Sequence, residues 1–408
     1  MNYIWAAFFV IAFISAAIQS FFYGNYHIWS DLSKAIFQSS ETAFKVSIGL
    51  TGILCFWLGM MKIAEKSGIT DILAKGLAPL FRKIMPDVPQ ESPAFGAIVM
   101  NMAANILGLD NAATPMGLKA IKELQKANPK KDEASDAEIL FMVINSSSLT
   151  LLPITIFMYR STMGSINPGA VFIPILIATF ASTAAGFLIV ASIQKLNIFN
   201  RVVLAYAAGL LGVITGIVWI CEASSDEIRK IILADAGNMV LILIVFVFIF
   251  QGLRKKINIY DEFINGAKDG FDIAVSIIPY LVAMLTAIGL LRSSGALDGI
   301  ISGISYVFSL LHVNTDFIPA LPTAFLKPLS GSGARAMMIE TMQNYGADSF
   351  PAYVSTVIQG STETTFYVLA VYFGSVKIIK TRHALPCALF ADFIGIVTAI
   401  AVSYYFYK

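Results

Sequence analysis

Nine apolar segments constrain what this chain can fold into more than any other feature. A helix needs about 20 predominantly apolar residues to cross the hydrocarbon core of a bilayer. The second and sixth segments are short and end in polar residues, so we expect their helices to extend further. The segments are approximately Ile4–Phe22, Val46–Met61, Ile139–Tyr159, Ala170–Ile193, Val202–Cys221, Ala236–Leu253, Ile273–Leu291, Tyr353–Val376 and Leu385–Tyr407. The sequence therefore predicts an all-α, polytopic membrane protein with about nine spanning helices.

The composition agrees with lipid as the solvent for much of the chain. Of 408 residues, 57% are hydrophobic and 13% are charged, whereas an average soluble domain carries roughly 25% charge. The net charge of +2 leaves no basic footprint for nucleic acid. The cysteines and histidines are too scattered for a zinc site or a disulfide framework, and the sequence lacks an evident catalytic cluster. We therefore expect no enzyme activity, no metal site and no cofactor other than a coupling ion.

Two further stretches are apolar but interrupted. Pro93–Leu118 has polar residues and glycines at its middle, and Phe317–Glu340 has prolines before a glycine-rich turn. Backbone of this kind is tolerated at membrane depth only where protein or a water-filled cavity surrounds it. Both stretches are therefore predicted to form re-entrant hairpins. An amphipathic segment precedes each hairpin, Ile69–Met85 and Ala296–Leu311, and each is predicted to be an interfacial helix.

The same order of elements occurs twice: a span, an interfacial helix, a hairpin, a span with a polar cluster, and a span. Ser67–Asp71 (SGITD) corresponds to Ser294–Asp298 (SGALD), and Asn145–Thr150 (NSSSLT) corresponds to Gln359–Thr364 (QGSTET). An ordered correspondence of this kind indicates an internal repeat. We therefore predict two related units, residues 1–200 and 201–408.

Basic residues predict that the two units are oppositely oriented. Ten of them flank the first hairpin, whereas the equivalent loops of the second unit carry only Arg292. The last loop of each unit has the opposite bias, with Arg160 alone in the first against Lys377, Lys380 and Arg382 in the second. Because cytoplasmic loops carry the excess of Lys and Arg, the first hairpin is predicted to enter from the cytoplasm and the second from outside. We expect a bacterial plasma (inner) membrane, a cytoplasmic N-terminus and an external C-terminus.

Polar residues at membrane depth mark the candidate site. Such side chains cost free energy in a bilayer and usually face the interior of the bundle or a cavity, and inverted repeats with discontinuous helices are typical of secondary transporters. Two matching clusters therefore predict a solute site between the hairpins. The residues expected to bind solute are Asn101, Asn105, Asn111, Asn145, Ser146, Ser147, Lys327, Ser330, Ser332, Arg335, Gln359, Ser361 and Thr362, and those expected to carry a coupling ion, Na+ or H+, are Asp110 and Glu363.

Simpler roles stay open for individual members of these clusters. Ser and Thr in spanning helices often bond their own backbone or hold helices together. Asp110 fits a helix cap equally well, and Lys327 and Arg335 fit structural partners of Glu363 and Asp110. Asp392, in the last span, is either a second buried carboxylate or close enough to the interface to be solvated.

The charges of the clusters constrain the solute. Asp110, Glu363, Lys327 and Arg335 carry formal charges that cancel, which suits a zwitterion, or an anion that enters with a proton or sodium. The guanidinium fork of Arg335 matches the geometry of a carboxylate. The glycine-rich turn of the second hairpin lacks the preceding strand and following Lys-Ser/Thr of a phosphate-binding loop. An ion gradient, or downhill movement, is therefore expected in place of nucleotide hydrolysis.

The two hairpin sequences carry a family resemblance. Ala94–Ala120 (AFGAIVMNMAANILGLDNAATPMGLKA) resembles the spore maturation protein A family, and Ala320–Glu340 (ALPTAFLKPLSGSGARAMMIE) resembles the spore maturation protein B family. Both are similar to the nucleoside-recognition, or Gate, domain shared with concentrative nucleoside transporters. The resemblance covers nearly the whole chain, as a fusion of two proteins that are usually separate.

The resemblance implies where solute would bind. Concentrative nucleoside transporters hold solute and sodium between two hairpins and two broken helices, which correspond here to the two polar clusters. Lys327 and Arg335 depart from the neutral surroundings expected for a nucleoside, so we expect a different small polar solute and an elevator-like or rocking-bundle carrier. The alternatives are a non-transporting envelope protein of the spore-maturation type and a passive channel. The expected partners are the lipid bilayer, the solute and a second copy of the chain in a homodimer. A homodimer would provide the fixed scaffold that a moving bundle needs.

Overall fold

The computed structural model describes residues 2–89, 91–108, 110–147, 149–224, 226–312 and 314–407; at residues 2, 110–112, 217, 221 and 226–234 it describes the backbone only. These ranges fold into seventeen α-helices and contain no β-strand. Seven of the helices are long and apolar enough to cross a membrane. The predicted all-α, polytopic class is therefore confirmed.

Residues 1–200, the first predicted unit, contain eight helices, and the ninth helix begins the second predicted unit at residue 201. Their bounds are α1 (Asn2–Tyr23), α2 (Ile28–Lys66), α3 (Ile69–Ile84), α4 (Pro93–Ile106), α5 (Asp110–Ala127), α6 (Asp136–Ser147), α7 (Ile154–Thr162), α8 (Phe172–Gln194) and α9 (Arg201–Ala223). Helices α4 and α5 form the first predicted hairpin, and α3 occupies the first predicted interfacial segment.

After α9, the second predicted unit has the same order of elements as the first. Its helices are α10 (Asp226–Arg254), α11 (Ile259–Ser293), α12 (Ala296–Leu310), α13 (Leu321–Leu326), α14 (Gly331–Tyr345), α15 (Phe350–Ser361), α16 (Thr365–Ser375) and α17 (Ala384–Phe406). A short 3₁₀ turn, Ile318–Ala320, leads into α13, which forms the second hairpin together with α14. Helix α12 occupies the second predicted interfacial segment.

Two of the nine predicted spans are interrupted, at the polar clusters where the resemblance implied broken helices. Ile139–Tyr159 is divided between α6 and α7, and Tyr353–Val376 is divided between α15 and α16. Both breaks fall in the polar clusters, where Ser and Thr side chains offer the backbone alternatives to helical hydrogen bonds. Pro153, which precedes α7, has no N–H to continue a helix. The short segment Val46–Met61 lies inside the 39-residue α2, as expected from its polar boundaries.

Serine caps fix where three of the shorter helices begin. The Ser92 hydroxyl accepts from the Phe95 N–H at the start of α4. Ser330 accepts from the Gly333 N–H at the start of α14, and Ser349 accepts from the Ala352 N–H at the start of α15. Each cap satisfies an N–H that has no partner within the helix.

The two longest helices, α2 and α11, are equivalent members of the two repeats. With 39 and 35 residues, they are roughly 58 and 52 Å long at 1.5 Å per residue, well beyond a hydrocarbon core of about 30 Å. Each helix ends at a Ser-Gly pair, Ser67–Gly68 or Ser294–Gly295, whose glycine has a positive φ. Positions in the two helices can therefore be compared by counting back from the serine of this pair.

Helices α2 and α11 run antiparallel along each other with local two-fold symmetry. A Cβ atom at Gly266 would lie 2.7 Å from the Cβ of Lys62, and one at Gly289 would lie 3.3 Å from the Cβ of Ser39. Lys62 and Gly289 each lie five residues before the serine of their own helix's Ser-Gly pair, and Gly266 and Ser39 each lie 28 residues before it. The two contacts therefore join equivalent positions of the two helices. Small residues at the crossing let the two backbones approach closely.

The last helices of the repeats, α8 and α17, form a second antiparallel pair. Gln194 Nε2 lies 3.2 Å from His383 Nε2 at one end of the pair, and Ile173 packs with Phe406 at the other. Between the ends, the Ser182 hydroxyl donates to the carbonyl of Ala391 over 2.9 Å. Equivalent helices of the two repeats thus pair in opposite directions twice.

The antiparallel pairs define two faces of the protein. Face A contains the C-terminal end of α2 at Lys66, and face B contains the C-terminal end of α11 at Ser293. The chain passes from these ends into α3 and the first hairpin at face A, and into α12 and the second hairpin at face B. The two hairpins therefore enter from opposite faces, as the inverted repeat requires. The ten basic residues around the first hairpin belong to the face A side.

Gly266→Ala is expected to destabilise the α2–α11 crossing, because the added methyl group would overlap the carbonyl oxygen of Leu58. Overpacking typically costs about 1–3 kcal/mol, so the thermal unfolding midpoint in detergent should fall. Gly212→Ala in α9 is the matched control, since no heavy atom lies within 4 Å of its added methyl group. The control should unfold at or slightly above the wild-type temperature. Equal midpoints for the two variants would contradict the close crossing.

Candidate functional site

The breaks of the two discontinuous helices contact each other. Helix α6 ends at Ser147 and α15 ends at Ser361. The backbone N–H of Glu363 donates to the carbonyl of Ser146 over 2.8 Å, and the hydroxyls of Ser146 and Thr365 lie 3.1 Å apart. Each break thus uses the other repeat to satisfy polar groups that lipid could not satisfy.

The hairpin tips lie against the same two breaks. The carbonyl of Ile106, at the end of α4, accepts from the Leu151 N–H over 3.0 Å, and the carbonyl of Pro328, before α14, accepts from the Phe366 N–H over 3.0 Å. Helices α6 and α15 contain 12 residues each, which makes them roughly 18 Å long. This length is a little more than half the thickness of the hydrocarbon core of a bilayer, which is about 30 Å. The tips and breaks therefore meet near the middle of the spanning region.

Asparagines of the first repeat form a network with a tyrosine of the second. Asn105 Nδ2 donates to Asn145 Oδ1 over 2.9 Å, and the Tyr372 hydroxyl donates to the same oxygen over 3.3 Å. Asn101 Nδ2 donates to the carbonyl of Ala113 over 2.8 Å. The network joins the first hairpin to α6 and α16. Sequence reasoning missed Tyr372, because the spacing of the 15 tyrosines does not distinguish it from the others.

The predicted serines at the ends of α6 and α15 have structural partners. The Ser147 hydroxyl donates to the carbonyl of Ile144, and the Ser361 hydroxyl donates to the carbonyl of Ile358. Both are bonds to the preceding turn of the same helix, which is the simpler of the two roles considered from the sequence. In this conformation these two hydroxyls are engaged with the backbone.

Lys327 and Arg335 lie on either side of the turn of the second hairpin. Lys327 is only 3% exposed. Arg335 is half-buried, and its guanidinium lies 5.5 Å from the ring centroid of Tyr159 in α7. Between the two cations, the hydroxyls of Ser330 and Ser332 lie 3.3 Å apart. The second hairpin therefore brings one buried cation next to a polar turn, and another against the broken helix of the first repeat.

Two predicted residues lie at the end of α15, Gln359 inside the helix and Thr362 immediately after it with an extended backbone. Gln359 Oε1 is buried and has no hydrogen-bond partner in the described part of the chain, whereas the Thr362 hydroxyl lies next to the Asp392 carboxyl. Nearby on the same helix, the hydroxyl of Ser355 lies 2.7 Å from that of Thr323 in the second hairpin. The described part of α15 thus has one buried amide oxygen, that of Gln359, without a donor close to the helix break.

The acidic residues predicted to carry a coupling ion have different environments. Glu363 lies in the break between α15 and α16, and its side chain is exposed, with no hydrogen bond or ion pair to another described residue. Asp110 and Asn111 begin α5. The side chains of these last two residues lie outside the described part of the structure, so their predicted roles stay predictions.

Asp392, whose environment the sequence left open, is a buried carboxylate. Its side chain is 1% exposed, and its Oδ2 accepts from the Thr365 hydroxyl over 2.7 Å. Lys327 and Glu363 both act on it electrostatically. The available signal was that Asp392 is the one acidic residue in the 23 residues of α17. Sequence reasoning could not place it because the depth of the helix in the bilayer was not known.

Polar loops connect the repeats at face A. Lys380 pairs with Asp132 at 3.0 Å, and Arg382 pairs with Asp136 at 2.7 Å. The N–H of Ala134 also donates to the carbonyl of Lys380 over 3.0 Å. These contacts join the loop after α16 to the loop before α6. The end of one broken helix is thereby held to the beginning of the other.

An equivalent connection lies at face B. Arg160, at the end of α7, is 1% exposed and pairs with Asp348 at 2.8 Å. The same carboxylate accepts from the Ser165 hydroxyl and from the Ile166 N–H. These contacts join the loop after α7 to the loop before α15. Together, the loops at the two faces hold the four half-helices as one unit.

A polar cavity of about 420 Å³ lies on the face B side between α2, α11 and α14. Its charged side chains are Asp31, Lys34, Arg292 and Glu340, and Arg292 pairs with Glu340 across it. Glu340 is ten residues along α14 from Ser330, which corresponds to roughly 15 Å. The cavity is therefore separate from the helix breaks and lies closer to the surface.

Two parts of the chain, residues 47–166 and 274–379, match the nucleoside-recognition (Gate) family. The chain is also 37% identical over 189 residues to Spore maturation protein A of Bacillus subtilis (strain 168), covering 46% of this chain and 93% of that protein. It is 44% identical over 164 residues to Spore maturation protein B of the same organism, covering 40% of this chain and 90% of that protein. The family matches include both hairpins and both helix breaks, in agreement with the resemblance of the hairpin sequences. Since the matched parts make up more than half of the chain, the protein belongs to the nucleoside-recognition (Gate) family of membrane proteins.

Proposed function

We propose that the protein is an ion-coupled secondary transporter of a small polar solute. The observation that supports this most directly is the contact between the two helix breaks, with the Glu363 N–H bonded to the Ser146 carbonyl. Half-helix ends offer N–H and C=O groups that bind ionic groups without a full charge on the protein. Interrupted helices of inverted repeats, with polar side chains grouped at the breaks, are the usual setting of a transporter site.

The charges near the breaks favour a zwitterionic or anionic solute. Arg335 lies beside the polar turn of the second hairpin, and its guanidinium is half-buried. A carboxylate of the solute would pair with it in a two-pronged, charge-assisted geometry. Buried Lys327 adds a second positive charge. Glu363 and Asp110 are the proposed carriers of the coupling ion, and the side chain of Glu363 is accessible for that role.

The contacts support a division of the proposed transporter into a fixed part and a moving part. The α2–α11 crossing forms the scaffold of the proposed transporter. The hairpins, the broken helices and the α8–α17 pair form the moving part, which the polar loops at both faces hold together. Because the repeats are inverted, the two parts have two related arrangements, each open to one face. Either an elevator-like or a rocking movement would exchange them, and scaffold helices would provide the contact in a homodimer.

The distribution of basic residues supports an orientation. Face A has the excess of Lys and Arg, including the ten around the first hairpin, and cytoplasmic loops carry such an excess. In a bacterial inner membrane, face A would then be cytoplasmic and face B external. The N-terminus would be cytoplasmic and the C-terminus external.

A non-transporting membrane protein of the envelope is the alternative. Both relatives are named for spore maturation, a name that specifies no solute. Such a protein would keep the fold for assembly or signalling and would need neither Arg335 nor Glu363 for its function. A passive channel would differ from both in a flux too fast for a conformational cycle.

Arg335→Ala is expected to weaken solute binding roughly 10- to 100-fold, because a charge-assisted hydrogen bond contributes about 1.5–3 kcal/mol. The measurement is the thermal midpoint of the purified protein across amino acids, dicarboxylates and nucleosides, each with and without sodium, since a bound ligand raises it by mass action. Arg335→Lys, which keeps the charge but loses the fork, should be affected less. A well-folded protein that responds to no member of the panel would favour the non-transporting alternative.

Single cysteines should report the proposed orientation. Lys130→Cys, in the loop before α6, and Asn314→Cys, in the loop before the second hairpin, replace exposed residues at face A and face B. In a cysteine-free background, a membrane-impermeant maleimide added to intact cells should label position 314 and leave position 130 unlabelled until the membrane is permeabilised. Labelling in the reverse order would overturn the assignment of face A to the cytoplasm.

A further inference from the structure

The two equivalent hairpin helices, α5 and α14, pack differently at their own faces of the protein. Helix α14 lies against the scaffold helix α11, so closely that a Cβ atom at Gly333 would be 3.0 Å from the methyl carbon of Met284. Helix α5 packs against α4, α6 and α16, and in the described part of the chain it has no comparable contact with α2. The second hairpin is therefore attached to the scaffold at face B, whereas the first hairpin is detached from it at face A.

The broken helices show the same asymmetry. Toward face B, α7 packs against α2, and a Cβ atom at Gly49 would lie 2.8 Å from Cγ2 of Thr162. The equivalent helix, α16, has no comparable contact with α11 among the residues that the structure describes. Two elements of the moving part thus rest on the scaffold toward face B, while their equivalents do not rest on it toward face A.

Positions in α5 and α14 can be matched because both helices begin at a hairpin tip. Lys119 is the tenth residue of α5, and Glu340 is the tenth residue of α14. The same register matches Ala113–Met116 (ATPM) with Ala334–Met337 (ARAM), in which alanine and methionine recur. Lys119 and Glu340 are therefore equivalent residues of the two hairpins.

The two repeats carry the same pair of charges between scaffold and hairpin, with the signs exchanged. At face B, the Arg292 guanidinium of α11 holds the Glu340 carboxylate of α14 through two of its nitrogens. Arg292 lies two residues before the serine of its Ser-Gly pair, and the residue at that place in α2 is Glu65. Arginine and glutamate of the second repeat thus correspond to Glu65 and Lys119 of the first.

In this conformation the pair at face B is formed and its counterpart at face A is separated. The side chains of Arg292 and Glu340 are 17% and 7% exposed. Lys119 is exposed and has no ion pair with another described residue. Glu65 is 42% exposed and pairs over 3.0 Å with Lys62, its neighbour on the same helix. Both members of the face A pair are therefore accessible to each other if the first hairpin approaches α2.

The difference extends along one side of the hairpin helix. Pro115, one turn before Lys119, is exposed, whereas its equivalent Ala336 is completely buried. The side of α14 that carries Ala336 and Glu340 is covered, and the same side of α5 is uncovered. An uncovered side with the complementary charge for α2 is what a second packing position of the first hairpin requires.

We propose that Glu65 and Lys119 form an ion pair that holds the first hairpin against α2 when the Arg292–Glu340 pair at face B is broken. Inverted repeats exchange their conformations, so the contact present in one repeat is expected in the other repeat in the alternate arrangement. Each pair stabilises one arrangement and so biases the equilibrium between the two. The exchange depends on the proposed transport cycle for its purpose, but it can be measured without a solute.

Disulfide cross-linking in a cysteine-free background tests the face A pair. Glu65→Cys combined with Lys119→Cys should cross-link when membranes are oxidised with copper phenanthroline, measured as a loss of maleimide–polyethylene glycol labelling that a reductant restores. Adding Glu340→Gln should raise the initial rate roughly threefold or more, because it removes a charge that holds face B together. Arg292 keeps Asp298 as a partner in this variant, so its charge is not left unpaired.

Glu65→Cys combined with Lys126→Cys is the matched control. Lys126 is also an exposed lysine of α5, but it lies two turns, or roughly 10 Å, farther from the hairpin tip. The control pair should stay unlinked under the same conditions.

A second measurement avoids replacing the charged pair. Pro115→Cys should be labelled readily by a maleimide in the otherwise unchanged protein, and adding Glu340→Gln should slow the labelling, because the first hairpin then spends more time against α2. Lys119→Gln in addition should restore fast labelling, since the ion pair that holds this position is lost. This series decides the question if the cross-linking variants fail to fold, as judged by size exclusion.

The outcomes separate the ion pair from the transport function. A cross-link between positions 65 and 119 that Glu340→Gln accelerates supports the pair even if no solute is ever found to bind. Absence of that cross-link in a folded protein would overturn it, as would a rate that Glu340→Gln leaves unchanged or equal cross-linking of the control. Labelling of Pro115→Cys that is insensitive to both Glu340→Gln and Lys119→Gln would also overturn it.

Discussion

The bond between the Glu363 N–H and the Ser146 carbonyl joins two helix breaks that a bilayer would not otherwise tolerate. In hydrocarbon, each unsatisfied backbone group costs several kcal/mol, so an interrupted helix must find its missing partners within the protein. Here the partner is the break of the other repeat, and the carbonyls at the hairpin tips satisfy the N–H groups of Leu151 and Phe366. The polar side chains therefore gather where the backbone already requires a protein-lined environment.

The inverted arrangement follows from how equivalent helices meet. Helices α2 and α11 cross with local two-fold symmetry, and α8 and α17 pair in opposite directions. As a result, the hairpins enter from opposite faces and their tips reach the same region. The polar loops around Arg160 at one face and Arg382 at the other join the half-helices to each other. Because the two repeats are related by inversion, each face of the membrane is approached by an equivalent set of helices. Two similar conformations, each open to one face, are the physical basis of the proposed alternating access.

Much of the fold was predictable because its signals are local or periodic. Span length, the prolines and glycines of the hairpins, and the bias of basic loops predicted the class and the inversion. The breaks in Ile139–Tyr159 and Tyr353–Val376 are not visible in the apolar pattern, because both segments remain apolar enough to span. Only the family resemblance implied two broken helices at the polar clusters. Within the site, Asn101, Asn105 and Asn145 are brought together as predicted, and Tyr372 joins them from the other repeat. Asp392 could not be assigned from its sequence neighbours, since its burial depends on contacts of α17 with distant helices.

The most direct test of the account is whether the bundle moves against the scaffold. Spin labels at Leu253→Cys and Ile379→Cys would occupy exposed positions, 62% and 81% accessible, at the end of α10 beside the scaffold and in the loop after α16. Pulsed electron–electron double resonance spectroscopy of the protein in lipid bilayers would measure the distance between the two labels. The account predicts two distances whose populations shift when sodium or a stabilising solute is added. One distance that stays the same under all of these conditions would contradict it.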